Sequence, residues 1–169
     1  MTNVMEGQAR SNRSGMDKYL TFKLGREAYA VGVLKIREII RMLDITEVPQ
    51  MPAYVKGVIN LRGKVIPVVD LRLKFNLTDV RTTERTCIVV VQADLKRNSG
   101  SHLGLIVDAV EEVISIPPCD VAPTPDFGSA ISTDYILGMA KVKGTVKTIL
   151  DIDKVVSTEG LIASAEIDS

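Results

Sequence analysis

The chain has 169 residues, with 21 Lys and Arg against 21 Asp and Glu, one His, two Cys and no Trp. An apolar fraction of 46% excludes a wholly disordered chain, and this length can bury a stable core without disulfides or metals. Zero formal net charge disfavours non-specific nucleic-acid binding, and one His with two Cys cannot complete a Cys₄ or Cys₂His₂ zinc site. We therefore expect neither a metal nor a cofactor.

The two ends of the chain carry no pattern of regular structure or of targeting. Residues 1–17 mix Gly, Ser and Arg without an apolar segment, so they do not resemble a signal peptide. No stretch approaches the ~20 apolar residues that a membrane helix needs, and residues 157–169 lack apolar periodicity. We expect flexible tails on a cytoplasmic protein in which Cys87 and Cys119 stay unpaired.

The first elements read as strands. Val and Ile supply much of the apolar content, and β-branched residues favour sheet over helix, so we predict a mainly β fold. Alternating apolar residues predict a strand over 19–24, a turn at 25–27 and a returning strand over 28–31. A short helix from Val33 and a strand from Glu38 are expected to follow.

A hairpin with an unusual composition comes next. Two apolar runs flank Arg62-Gly63-Lys64, and glycine readily takes the positive φ of a tight turn. Pro67 cannot donate to a ladder, so its strand should be an edge or carry a bulge there. Residues 71–75 then predict a short helix.

The second half of the chain repeats the first. Three positions recur 81 residues later: Gly57, Gly63 and Asp70 as Gly138, Gly144 and Asp151. A second set of matches, shifted by 74, relates 31–49 to 105–123. The repeat predicts two small barrels with short helices, over roughly 18–80 and 86–156, with strand exchange between them as an alternative. Each unit would be marginal alone, so we expect one folding unit.

Two sets of residues invite a catalytic interpretation. Asp70 and Asp151 could form the carboxylate dyad of a small hydrolase if they shared a proton, but each follows a strand and precedes a short helix, which favours capping. His102 could be a general base, yet it follows the turn-like residues 98–101, and the chain has no nucleophile elbow. We expect an exposed turn histidine and no enzyme. A nucleic-acid-binding barrel remains open on fold analogy alone.

Arg62, at the predicted hairpin tip, is the best candidate for binding. Arg is enriched at interaction hot spots because its planar fork pairs with carboxylates while its stem packs. Val33, Ile36 and Leu61 are apolar residues that we expect two small barrels to leave partly exposed. An apolar groove that also carries Arg62 and Glu38 would suit a helical partner.

One stretch resembles a known family. Asn60-Leu61-Arg62-Gly63, followed by the residues VIPVVDLR at 65–72, is similar to the CheW family of bacterial chemotaxis coupling proteins. Further similar stretches extend the resemblance over roughly 18–156: they lie at 22–25, 34–39, 52–57 and 132–135. The hairpin with its trailing Pro and Asp-Leu is quite specific to this family, whose domain also occurs in the kinase CheA and in CheV.

The resemblance implies a fold and a role. The fold would be two SH3-like five-stranded barrels, and the role a non-enzymatic adaptor between the cytoplasmic tip of methyl-accepting chemoreceptors and the regulatory domain of the histidine kinase CheA. Such arrays lie at the inner face of the membrane and include rings of CheW-like domains. An adaptor of a non-flagellar pathway, such as twitching motility, fits the same residues.

The resemblance also implies site residues, carried over by position. The receptor-binding residues would be Val33, Ile36, Glu38, Leu61 and Arg62. The kinase-binding residues would be Lys56, Val65, Pro67 and Phe127.

Overall fold

The structure, a computed structural model, describes residues 18–78, 80–94, 99–123 and 135–156. Ten strands lie within these ranges: β1 (Lys18–Leu24), β2 (Glu27–Gly32), β3 (Ile36–Arg41), β4 (Val55–Leu61), β5 (Lys64–Asp70), β6 (Cys87–Asp94), β7 (Ser99–Val107), β8 (Ala109–Ser115), β9 (Ile136–Val142) and β10 (Thr145–Leu150). Helices α1 (Leu71–Lys74) and α2 (Ile152–Val156) follow β5 and β10, and two 3₁₀ turns span Val33–Lys35 and Pro118–Asp120. None of the helices in these ranges has the length and apolar character to cross a membrane.

Each sheet combines strands from both halves of the chain. The first sheet has the order β8-β1-β2-β10-β9, and the second has the order β3-β6-β7-β5-β4. The β1–β2 hairpin joins strands of the second half through the parallel pairing of β2 with β10. The β6–β7 hairpin joins strands of the first half through the parallel pairing of β7 with β5. The sheets therefore do not follow the expected limits of 18–80 and 86–156. Those limits describe the repeated unit, and the hairpins β1–β2 and β6–β7 are exchanged between the units.

The exchanged hairpins are buried on both faces. Along β6, Ile88 and Val90 belong to a core inside the second sheet, whereas Val89 and Val91 belong to a core that both sheets share. Along β2, Ala30 lies in a separate core of the first sheet, whereas its neighbours Tyr29 and Val31 lie in the shared core. Burial on both sides explains the nearly continuous apolar runs of these strands. The mainly β prediction is confirmed.

The predicted local elements appear with small shifts. The strand predicted over 19–24 is β1, and the helix predicted over 71–75 is α1. Pro67 lies in an interior strand, but the parallel ladder of β5 with β7 begins only at Val68. Pro67 is paired with Val58 of β4 alone, so it occupies a local edge where its missing N–H is tolerated.

The two repeated aspartates cap the helices that follow them. Asp70 Oδ1 accepts a hydrogen bond from the backbone N of Arg72 at 3.0 Å, and Asp151 Oδ1 accepts one from the backbone N of Lys154 at 3.3 Å. Each side chain caps the first turn of its helix, and the backbone N of Lys154 is shared with the carbonyl oxygen of Asp151 at 3.1 Å. The capping prediction is confirmed, and no observation supports the alternative carboxylate dyad.

A buried ion-pair network centred on Arg72 joins four segments. Arg72 is 3% exposed; its guanidinium donates to Asp70 and Asp108 at 2.9 Å and to the carbonyl oxygen of Arg81 at 2.8 Å. Asp108 also accepts from the backbone N of Gly25, in the β1–β2 turn, at 2.6 Å. Burial alone would lower the pKa of Arg72, but the hydrogen bonds and charges of the two carboxylates outweigh it and raise this pKa. The network ties α1 to the exchanged hairpin.

Replacing Arg72 should destabilise the protein strongly. Arg72→Met leaves Asp70, which is buried, without its counter-charge, and we expect the free energy of unfolding to fall by about 3–5 kcal/mol. The measurement is urea denaturation followed by circular dichroism. Arg85→Met, in an exposed position of the neighbouring loop, should change it by less than about 0.5 kcal/mol. Equal stability of the two variants would contradict a structural role for the network.

Substitution of two repeated glycines, Gly57 and Gly63, should reduce stability to different extents. A Cβ on Gly57, whose φ is +139°, would lie 2.0 Å from the backbone oxygen of Thr46, whereas a Cβ on Gly63, at φ +84°, would meet nothing within 4 Å. Gly57→Ala combines backbone strain with a clash against main chain and should cost about 3 kcal/mol or more. Gly63→Ala carries only the strain, about 1 kcal/mol. Thermal unfolding of the two variants tests the order, and a reversed order would refute it.

Candidate functional site

The site begins at the turn of the β4–β5 hairpin. Arg62 and Gly63 have φ of 52° and 84°, and positive φ at both central residues is what a two-residue type I′ turn requires. The Oδ1 atom of Asn60 accepts a hydrogen bond from the backbone N of Gly63 at 2.9 Å and holds the turn. Arg62 is thereby presented at the tip, with its side chain 67% exposed.

An ion pair at this tip joins the two edge strands of the second sheet. Arg62 Nη2 lies 2.6 Å from Oε2 and 2.8 Å from Oε1 of Glu38, and Nη1 lies 3.1 Å from Oε1. Glu38 belongs to β3 and Arg62 follows β4, which are the first and last strands of this sheet. The contact therefore shows that the sheet curls round on itself, as a small barrel does.

A pocket of about 210 Å³ lies beside the ion pair. Its polar lining consists of Arg37, Glu38, Arg62, Lys64 and His102. Its apolar lining consists of Leu61, Ile66 and Val90, of which the last two are buried. An apolar base with a mainly cationic lining can accept an amphipathic anionic group. No three His, Cys, Asp or Glu side chains in the described ranges are grouped so that they could hold a metal ion.

His102 lies elsewhere than predicted. It was expected in an exposed turn, but it is a half-buried residue of β7, paired with Gln92 of β6. Burial lowers the pKa of His102, and the positive charges of Lys64 and Arg37 lower it further. The repeat indicated a strand at this position, because a shift of 74 aligns His102 with Ala28 of the predicted second strand.

The structure brings together three of the five residues expected to bind a receptor. Glu38, Leu61 and Arg62 all line the pocket. Val33 and Ile36 do not line it; they lie in the 3₁₀ turn and at the start of β3, half-buried against the core that the two sheets share. The five residues thus fall on the β3 segment, with the 3₁₀ turn before it, and on the hairpin tip.

The residues expected to bind a kinase share one side of the β4–β5 hairpin. Pro67 is paired with Val58 and Val65 with Asn60, and these positions alternate with Ile59 and Ile66, which are buried. Val65 is 56% exposed. Lys56 is also exposed on β4, at the point where the register of the hairpin shifts between Val55 and Gly57. Phe127 lies outside the described residues.

The first sheet carries a counterpart of the ion pair. Lys143 is the repeat of Arg62, shifted by 81 and also at φ 52°, and Glu112 is the repeat of Glu38, shifted by 74. Lys143 Nζ lies 3.3 Å from Oε1 of Glu112, and this contact likewise joins the sheet's edge strand β8 to the turn after its other edge strand, β9. An ammonium cannot reproduce the planar fork of Arg. The counterpart provides an internal control for the Arg62 site.

Arg37, Lys64 and His102 are site residues that the sequence analysis did not identify. Arg37 and Lys64 are neighbours of Glu38 and Arg62 in the chain, and ordinary exposed charges on strands carry no distinctive sequence signal. Only the curling of the sheet places them around one pocket with His102.

Comparisons with known proteins agree with this architecture. The family model described as "CheW-like domain" matches residues 18–160. "Chemotaxis protein CheW" of Klebsiella aerogenes is 34% identical over 143 residues, which cover 84% of this chain and 82% of that protein. The protein of the same name from Rhizobium meliloti is 31% identical over 92% of this chain and 97% of its own length.

A solved structure agrees as well. The crystal structure of the scaffolding protein TtCheW from Thermoanaerobacter tengcongensis superposes with a TM-score of 0.76 at 32% sequence identity, covering 85% of this chain and 90% of that one. The two curled sheets described above are therefore the two SH3-like barrels that the resemblance implied. The chain belongs to the CheW-like domain family.

Proposed function

We propose that this chain is a cytoplasmic, non-enzymatic adaptor that joins the tip of chemoreceptors to the regulatory domain of the histidine kinase CheA. The observation that carries the proposal is the exposure of Arg62, two-thirds open to solvent although paired with Glu38. A guanidinium oriented by one carboxylate and still accessible can contact a partner without first losing side-chain freedom. Family membership supports the assignment to chemotaxis.

The proposed receptor surface combines this charge with apolar area. Val33, Ile36 and Leu61 are half-buried, and Ile39 on the edge strand β3 is 44% exposed. Covering such side chains would add about 25 cal/mol per Å² of apolar surface removed from water. An amphipathic helix that lays an apolar stripe along β3 and meets Arg62 at the hairpin tip suits this arrangement.

The proposed kinase surface is the outward side of the β4–β5 hairpin, with Lys56, Val65 and Pro67. Lys56 is exposed and Val65 is 56% exposed, whereas Pro67 is half-buried. An exposed valine beside a proline and a lysine is the composition of a small interface with an apolar centre and a charged rim. Phe127 would contribute to a second contact in rings of CheW-like domains. An adaptor of a non-flagellar pathway would use the same surfaces with other receptors.

Reversing the charge of Arg62 should weaken receptor binding. We expect Arg62→Glu to reduce the affinity for a soluble receptor cytoplasmic fragment by about 2 kcal/mol, or roughly 30-fold, because it removes the guanidinium and repels Glu38. Isothermal titration calorimetry measures the affinity, and circular dichroism should stay unchanged. The matched control is Lys143→Glu, the same reversal at the repeated position, which should bind like the wild type. A folded Arg62→Glu protein with wild-type affinity would refute the receptor assignment.

A second pair of variants tests the kinase surface. Val65→Asp places a charge in the centre of the proposed interface and should weaken binding to the CheA regulatory domain by roughly 10-fold, with receptor affinity unchanged. Its control is Val146→Asp, at the repeated position in β10, where the valine is 54% exposed against 56% for Val65. Equal effects of the two variants on kinase binding would rule out a specific role for the β4–β5 face.

A further inference from the structure

We propose that the pocket beside the Arg62–Glu38 pair is a subsite for one acidic side chain of the receptor tip, held by Arg37 and Lys64. The inference rests on the proposed function, since the acidic side chain belongs to the receptor helix that Arg62 meets. It adds a specificity element that the ion pair alone does not provide.

The charges of the pocket are not balanced by the chain itself. Its lining has three cationic side chains and one carboxylate, and that carboxylate, Glu38, already holds Arg62 through three short contacts. Within the ranges that the structure describes, Arg37 and Lys64 make no ion pair. Both residues line the pocket together with the half-buried ring of His102, and their charges act on that ring. An added carboxylate would therefore find two unpaired cations and a ring that can donate a hydrogen bond.

The size and apolar lining favour a side chain as the occupant. A volume of about 210 Å³ is below the roughly 300–1,000 Å³ of sites for whole small molecules. Ile66 and Val90 are buried and Leu61 is half-buried, so methylene groups would meet an apolar surface while the carboxylate stays with the cations. A glutamate has this division into an apolar stem and a charged end.

The repeat shows that the fold does not require these cations. In the barrel formed by the first sheet, the positions equivalent to Arg37 and Lys64 hold Glu111 and Thr145. Glu111 lies 3.7 Å from Lys147, so its charge is met within the chain. The duplicated scaffold thus carries the same strands and the same kind of ion pair without a cationic excess. At the corresponding place in the first sheet, the cations Lys143 and Lys147 are met by the carboxylates of Glu112 and Glu111.

The test is a double-mutant cycle with the full-length chain and a soluble receptor cytoplasmic fragment. Arg37→Gln with Lys64→Gln should reduce affinity at least about 10-fold at low salt and flatten its dependence on ionic strength, because two exposed charges are lost. Lys141→Gln, at an exposed position of β9, is the control and should leave affinity unchanged. In a receptor fragment whose tip glutamates are replaced by glutamine, the double variant should cost nothing further.

The outcomes separate the subsite from the function on which it rests. Wild-type affinity in the Arg37→Gln, Lys64→Gln protein, with weakened binding in Arg62→Glu, would overturn the subsite and leave the adaptor proposal in place. A full loss that persists against the glutamine-substituted receptor would show that the occupant is not an acidic side chain. If the unmodified chain did not bind the fragment at all, the adaptor proposal and the subsite would both fall. Circular dichroism of each variant excludes misfolding as the cause.

Discussion

The exchange of hairpins between the two repeated units is the constraint on which the rest of the structure depends. Because β1–β2 lies among β8, β9 and β10, and β6–β7 lies among β3, β4 and β5, each barrel is completed by the opposite half of the chain. The exchanged strands present one face to their own barrel and the other to the shared core. The Arg72 network then links the end of the second barrel to the β1–β2 turn of the first. The shared apolar core and the Arg72 ion pairs thus both hold the two barrels together.

Duplication gave the chain two equivalent hairpin tips, and the tips have diverged. Arg62 holds Glu38 with a forked contact, whereas Lys143 meets Glu112 through a single ammonium. Arg37 and Lys64 beside the first pair correspond to Glu111 and Thr145 beside the second, where Lys147 meets the charge of Glu111. Ion pairs at exposed positions contribute little to stability, typically below 1 kcal/mol. The difference between the two tips therefore has little effect on stability.

Local features of the fold and the two-barrel architecture indicated by the repeat could be predicted from the sequence, whereas the exchange of hairpins was only one alternative. Alternation identified β1, the glycine between two apolar runs identified the hairpin around Gly63, and a position between a strand and a short helix identified the cap at Asp70, because each signal lies within a few residues. The exchange of hairpins has no local signal, since exchanged and unexchanged units bury the same side chains. Glu38 and Arg62 were both expected in one groove, but the direct contact between them depends on the curling of the whole sheet. His102 was misplaced because the turn-like residues before it outweighed the evidence of the repeat.

The two parallel pairings have a consequence for how the protein is made. Val68 to Asp70 pair with Gly104 to Ile106, and Ala28 to Ala30 pair with Lys147 to Ile149, so the first sheet cannot close before β10, which ends at Leu150, has been synthesised. Contacts this distant in sequence slow folding, because a long loop must be ordered first. Neither half of the chain supplies all five strands of a barrel. The second sheet is complete once β7 ends at Val107, whereas the first sheet also needs β10, so the barrel that carries Arg62 can close while the other is still open.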